Sequence, residues 1–170
     1  MTPTAILANA LEAIGSNQLA LVAVANKAGL LIARVRKAAK GYPIGASDHL
    51  RICAAIKIDP DTGNDIECVP PPGDFEFKAL GAGVAMRRIQ LGHDKSIRNT
   101  ALAIGVVHST FLKIERGEVT SIASVLKACR YVGLSPYAYV KHPEWSSDRF
   151  TETLTRPPAN AASEKSESAA

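Results

Sequence analysis

Slid against itself by 76 residues, the 170-residue sequence brings glycines and small side chains into register without a gap. Ala25 falls on Ala101, Gly29 on Gly105, Lys37 on Lys113, Gly41 on Gly117, Leu50 on Leu126, Cys53 on Cys129 and Pro60 on Pro136. Seven identities over the 41 positions from Ala20 to Pro60 are few, but where they fall matters more than their number. They occupy a turn, a close helix contact, the stop after one helix and the end of the next, all positions that a helical unit has a physical reason to fix. The chain therefore reads as a duplication of one small helical unit, and its length allows each copy a modest core.

Charge follows the same division. Residues 1–60 carry seven Lys/Arg against three Asp/Glu and residues 79–142 carry nine against three, whereas residues 61–78 carry one against five and residues 143–170 three against five. Two basic blocks thus alternate with acidic pieces, and a basic surface on each unit attracts a polyanion. No apolar run approaches the roughly 20 residues of a membrane-spanning helix. Met1 to Ile14 lacks the basic opening and small-residue cleavage site of a secretory signal. Cys53, Cys68 and Cys129 form no close pair, which argues against a disulfide framework or a zinc site. These features lead to the expectation of a soluble chain in the cytoplasm.

The boundaries follow from composition. Residues 1–60 form the first unit, the more divergent one. Asp61, Thr62, Gly63 and Asn64, then Val69, Pro70, Pro71, Pro72 and Gly73, cannot continue a helix, so 61–78 is a Pro-rich acidic linker. The second unit spans 79–142, an aromatic extension spans 143–154, and 155–170, lacking large apolar residues after Thr155, is expected to be a disordered tail.

In the second unit Ala79 to Leu91 reads as a first helix ending at Gly92, with Val84, Met86, Ile89 and Leu91 apolar. Ser96 caps a short second helix in which Ile97, Ala101 and Ile104 fall at helical spacing before Gly105. His108 to Arg116 is the third, with Phe111 and Ile114 turned inward, and Gly117 ends it. Ser121 caps a fourth, amphipathic through Ile122, Val125, Leu126, Cys129 and Val132, closed by Gly133, after which Pro136 opens a fifth turn. In the first unit the third helix is Ile32 to Lys40, with Val35 and Ala38 inward.

Ala101 must be small where two helices cross at a tight turn, and Gly105 lets that turn take a positive φ. The stretch Ser96 to Gly117, with its Ile-Glu-Arg-Gly ending, resembles the phage-repressor family of helix-turn-helix proteins, the lambda repressor and Cro group also called Xre-type. The resemblance covers Ala79 to Val140 well and Leu19 to Pro60 more weakly. It implies an all-α chain of two tandem lambda-repressor-like five-helix domains whose third helices enter the DNA major groove, while the start of the second helix approaches the backbone. Carried over residue by residue, it places His108, Ser109, Thr110, Leu112 and Lys113 at base edges, and Ser96, Arg98 and Arg116 near phosphates. Lys113 suits guanine acceptors and Leu112 a thymine methyl. The sequence departs from the family at Ile97, where Gln is frequent, and at Val107, where a capping Ser or Thr is usual.

In the first unit the outward positions hold Ala33, Arg34, Arg36, Lys37 and Lys40, and these four cations suit phosphates or guanine. Leu30, Leu31 and Ile32 stand where the turn signature is weakest and form a possible apolar patch for a protein partner. His49, His93, His108 and His142 lack ligand spacing and read as surface or satisfied histidines, so no metal or cofactor is inferred. Cys53 and Cys129 read as core, and Glu115 as a brace on the third helix through a nearby cation. No catalytic constellation is visible and the chain is not read as an enzyme.

Tyr131, Tyr137, Tyr139, Trp145 and Phe150 crowd the end of the second unit, either as a homodimer contact or folded back over their own unit. The sequence thus points to a double-stranded DNA-binding transcriptional regulator, a repressor, whose 18-residue connector lets both units engage one duplex. The alternative is a protein-interaction regulator, antiactivator or antitoxin-like, in which one repeat no longer binds DNA.

Overall fold

The computed structural model describes residues 1–15, 17–67, 73–92, 96–118 and 120–141, and the regular elements among them are helices. The first half contains α1 (Pro3–Ile14), α2 (Gln18–Ala28), α3 (Ile32–Ala39) and α4 (Ala46–Ile56). The second contains α5 (Phe77–Gln90), α6 (Ile97–Ile104), α7 (His108–Glu115) and α8 (Ile122–Val132), followed by a 3-10 turn at Pro136–Tyr139. A shift of 76 residues carries the limits of α3 onto those of α7, those of α4 onto those of α8, and the end of α2 onto the end of α6.

The helix ends have local causes. Asn17, Ser96 and Ser121 each accept a hydrogen bond from an amide of the first turn they cap, and Thr2 does the same for α1. Gly29 and Gly105 stop α2 and α6 in the left-handed region, at φ 62° and 75°, where a side chain would clash with its own backbone. Lys57 stops α4 in the same conformation, φ 61°, at the position equivalent to Gly133.

The structure adds detail at three places. The first helix of the second half begins at Phe77, two residues before the expected unit boundary, and ends at Gln90. Each half has four α-helices among the described residues, followed in the second half by the 3-10 turn that Pro136 opens and in the first by a turn in which Asp59 accepts from the amides of Asp61 and Thr62. The segment 61–78 is also more than a spacer. Its start folds back through an Ile58–Asp65 bridge, its end lays Phe75 against Val140, and Phe75 is buried. The central run 68–72, the aromatic extension 143–154 and the tail 155–170 lie outside the described residues.

Each half builds its core from the inward faces of its own helices and then borrows from the other. Leu7, Leu11, Val24, Val35, Ile52 and Cys53 pack together in the first, and Leu80, Val84, Phe111, Ile114, Val125 and Leu126 in the second. Ala46 and Leu50 of α4 belong to the second half's cluster, while Tyr137 belongs to the first's. The Tyr137 hydroxyl donates to the Ile58 carbonyl at 3.0 Å, and Arg130 pairs with Asp61 at 2.8 Å. The halves therefore share a core through α4 and α8, which makes them one packed body rather than two units on a tether.

The second half is also closed by a close backbone approach. A Cβ on Gly81 of α5 would lie 2.6 Å from the carbonyl oxygens of both Ile114 and Glu115 at the end of α7. Ala5 occupies the equivalent place in α1. Because the obstructing atoms are backbone, Gly81→Ala is expected to lower unfolding stability by about 1–3 kcal/mol. Urea denaturation checks this, and an unchanged midpoint counts against the contact.

Candidate nucleic-acid interface

Helices α3 and α7 expose the same side in both halves, for the same reason. Val35 and Ala38 anchor α3, and Phe111 and Ile114 anchor α7, at three-residue spacing on one face, so the remaining positions are turned out. On α7 this leaves His108, Ser109 and Lys113 exposed and Thr110 and Leu112 half-buried, with Arg116 exposed just after it. On α3 it leaves Ala33, Arg34, Arg36 and Lys37 exposed, with Lys40 after them. The sequence-predicted outward positions therefore fall on one helix face in each half.

Not every predicted residue is equally free. Ser96 is half-buried and its hydroxyl caps α6 by accepting from the Asn99 amide at 3.2 Å, while Arg98 in the first turn of α6 is exposed. Arg34 pairs with Asp48 at 3.5 Å, and Arg116 approaches Glu118 at 3.9 Å, both on the surface where such pairs exchange readily. Arg36, Lys37, Lys40, Arg98 and Lys113 have no acidic partner among the described residues.

The corner that sets each helix is held from outside. The Arg51 guanidinium donates to the carbonyls of Ala28 and Gly29 at 3.0 and 3.2 Å, closing the end of α2. Lys127, 76 residues on, donates to the Gly105 carbonyl at 2.7 Å and closes α6. These clasps place a positive charge at the negative end of each helix dipole. The sequence reading missed them: the pair is Arg over Lys, so it does not register as an identity, and only the shared charge could have signalled it. Glu115 accepts from Arg88 at 3.0 Å with both side chains largely buried, bracing α7 against α5.

At the start of each exposed helix the capping side chain is absent. Leu31 and Val107 hold those positions at 76% and 67% exposure and make no cap hydrogen bond. Of the apolar trio Leu30, Leu31 and Ile32, only Leu31 is exposed, since Leu30 and Ile32 pack against the first core. Ile97, at the other departure from the family pattern, packs against the second.

The remaining chemistry-bearing groups are held in the interior. Cys53 and Cys129 are buried free thiols, and burial pushes the Cys129 thiol up to about 12 and Cys53 further in the same direction, so neither forms a thiolate near neutrality. Among the described residues no three of His, Cys, Asp and Glu converge on one point suited to a metal ion. Tyr137 and Tyr139 are buried within the chain and Tyr131 half-buried, whereas Trp145 and Phe150 lie outside the described residues.

His49 departs from the surface-or-satisfied reading. It is buried in α4, its Nε2 has no hydrogen-bond partner, and burial lowers its pKa to about 4. Unfolded, it titrates near 6.5. Between those values the unfolded chain binds a proton that the folded chain does not, so the fold loses stability as pH falls below 6.5 and is unaffected above it. His49→Val, which copies Val125 of α8, is expected to remove about 2 kcal/mol of the stability lost between pH 6.5 and 5. Urea unfolding at pH 7 and pH 5 measures this. Equal pH losses in the variant and the parent chain would place the acid sensitivity elsewhere.

No family model, curated protein or solved structure matches this chain. Among the described residues, no single helix is long and apolar enough to cross a membrane.

Proposed function

We propose that the chain is a sequence-specific double-stranded DNA-binding regulator, a transcriptional repressor of the cytoplasm, built from two tandem lambda-repressor-like helix-turn-helix units that read the major groove with α3 and α7. One observation carries this reading: in both halves the helix after a left-handed glycine corner is pinned by two buried residues and turns cations without an acidic partner among the described residues, Arg36 and Lys37 on α3 and Lys113 on α7, to solvent. A merely solvated helix face has no need for repeated corner geometry or for the Arg51 and Lys127 clasps that hold the two corners. On this reading Lys113, Arg36 and Lys37 contact guanine O6/N7, and Arg98, Arg116 and Lys40 contact phosphates.

Selection of bound duplexes from a random pool, followed by titration of the enriched sequence against a scrambled one, tests the proposal. Specific binding at least about 10³-fold tighter than to the scrambled duplex at the same salt is the expected result. A pool from which no sequence is enriched would exclude sequence-specific recognition.

A further inference from the structure

The side of α5 that faces away from the second core is apolar and exposed. Leu80, Gly81 and Val84 turn inward, with Arg87 and Arg88 half-buried beside them. On the opposite side Ala79, Ala82, Met86 and Ile89 follow one another at steps of three, four and three residues, which makes one continuous stripe on a helix. All four are exposed, Met86 and Ile89 each at 63%, and the charged residue on that side of α5 is Lys78, at its start. A helix side that faces water ordinarily carries charged and polar residues, so this stripe has the composition of a covered surface.

The first half shows what covers the matching side of α1. Ile6, equivalent to Ala82, is buried, and the turn after α4 lies against it: a Cβ on Gly63 would stand 2.9 Å from the Ile6 side chain. Three residues on, Ile66 packs on the first core. In the second half Tyr139, equivalent to Gly63, likewise lies against α5, its hydroxyl 2.7 Å from where a Cβ of Gly83 would stand. Lys141 then donates its amide to the Asp74 carbonyl at 2.8 Å and pairs with Glu76 at 4.0 Å, which leaves the chain beside the first turn of α5. The described residues stop there, one position before His142, the equivalent of Ile66.

The sequence that follows suits the stripe. Residues 143–154 hold Trp145, Phe150 and Leu154, with the carboxylates of Glu144, Asp148 and Glu152 against the single cation Arg149, whereas the charges of α5 are all positive. From Lys141, the four residues to Trp145 reach at most about 14 Å and the nine to Phe150 about 32 Å. Along α5, Met86 stands about 14 Å from Phe77 and Ile89 about 18 Å. Trp145 thus comes within reach of Ala82 and Met86, and Phe150 of Ile89.

We propose that residues 144–150 lie along the outer side of α5 of their own chain, with the Trp145 ring over Ala82 and Met86 and the Phe150 ring over Ile89. The occupant is the chain's own continuation rather than a second copy: two copies of this side would bring like charges together, whereas the extension brings opposite charge and departs from the end of the stripe. The contact goes beyond the DNA-binding reading and does not depend on it.

Trp145 is the single tryptophan of the chain and reports its own environment. In the full chain its emission is expected to be blue-shifted, and its quenching by acrylamide several-fold weaker than that of N-acetyltryptophanamide, at low and high protein concentration alike, with sedimentation giving one chain. Met86→Glu with Ile89→Glu should shift the emission to that of exposed tryptophan and raise quenching to that of the free amide. Circular dichroism should be unchanged, because both positions are exposed in α5. Met86→Leu should keep the parent's values. A parent chain quenched as strongly as the free amide, or protection that survives the double substitution, would overturn the docking. Protection that appears only as the chain dimerises would overturn it in favour of a second copy on the stripe.

Discussion

If α7 reads DNA as proposed, reversing two charges, Lys113→Glu on α7 and Arg116→Glu just after it, is expected to weaken binding to the selected duplex by about 1,000-fold. Each cation contributes roughly 1–3 kcal/mol at a base edge or a phosphate, and the new carboxylates add repulsion from the backbone. Both side chains are exposed, so the fold should tolerate the change, and Arg116 has only a loose surface pairing with Glu118 to lose. The parent chain should show a steep salt dependence. Six phosphate or groove cations from the two halves correspond to a slope of about −5 in log K against log salt, and the double variant should lose about two units of it. Fluorescence anisotropy at several salt concentrations, with circular dichroism to establish folding, measures both quantities. A folded variant binding within threefold of the parent would remove α7 from the interface.

The largest effect on stability should come from Phe111→Ala. Phe111 is fully buried, the largest side chain in that state among the described residues, and it belongs to the same core cluster as Leu80 and Val84 of α5 and Val125 of α8. Removing the ring is expected to cost about 3–5 kcal/mol, from the lost transfer energy and the cavity left behind. For a chain of this size that is a large share of total stability. Because α7 is only eight residues long, it has little helical stability of its own and depends on this anchor for its position. Urea unfolding at pH 7 reads the loss, and a change under about 1 kcal/mol would show that the site closes over the gap. The equivalent residue, Val35, has less to remove, so Val35→Ala should be milder and should leave the second reading helix in place.

Much of this architecture was legible in the sequence because it is locally determined. Ser96, Gly105, Gly117, Ser121 and Gly133 act within one turn of where they stand, so the limits of α6, α7 and α8 follow from them. The inward pairs Val35/Ala38 and Phe111/Ile114 follow from helical spacing, as does the exposure of the cations between and beyond them. What the sequence concealed is non-local. Helix periodicity marks Leu50 as apolar without saying that it enters the other half's core, and composition presents 61–78 as a spacer although Phe75 is buried. The stop after α4 was hidden by chemistry, since Lys57 adopts a conformation that glycine signals at position 133. His49 was hidden by its type: an imidazole in a helix otherwise rich in buried small and aliphatic residues gives no sign that its nitrogen goes unpartnered.

The borrowing of α4 by the second core bears on how the molecule comes apart. Were residues 73–141 separated from those before them, the loss of Ala46 and Leu50 would open a hollow in the core that holds Phe111 and Val125, while the earlier piece would lose the ring of Tyr137. Neither fragment inherits a finished interior, so each half needs the other to close its core.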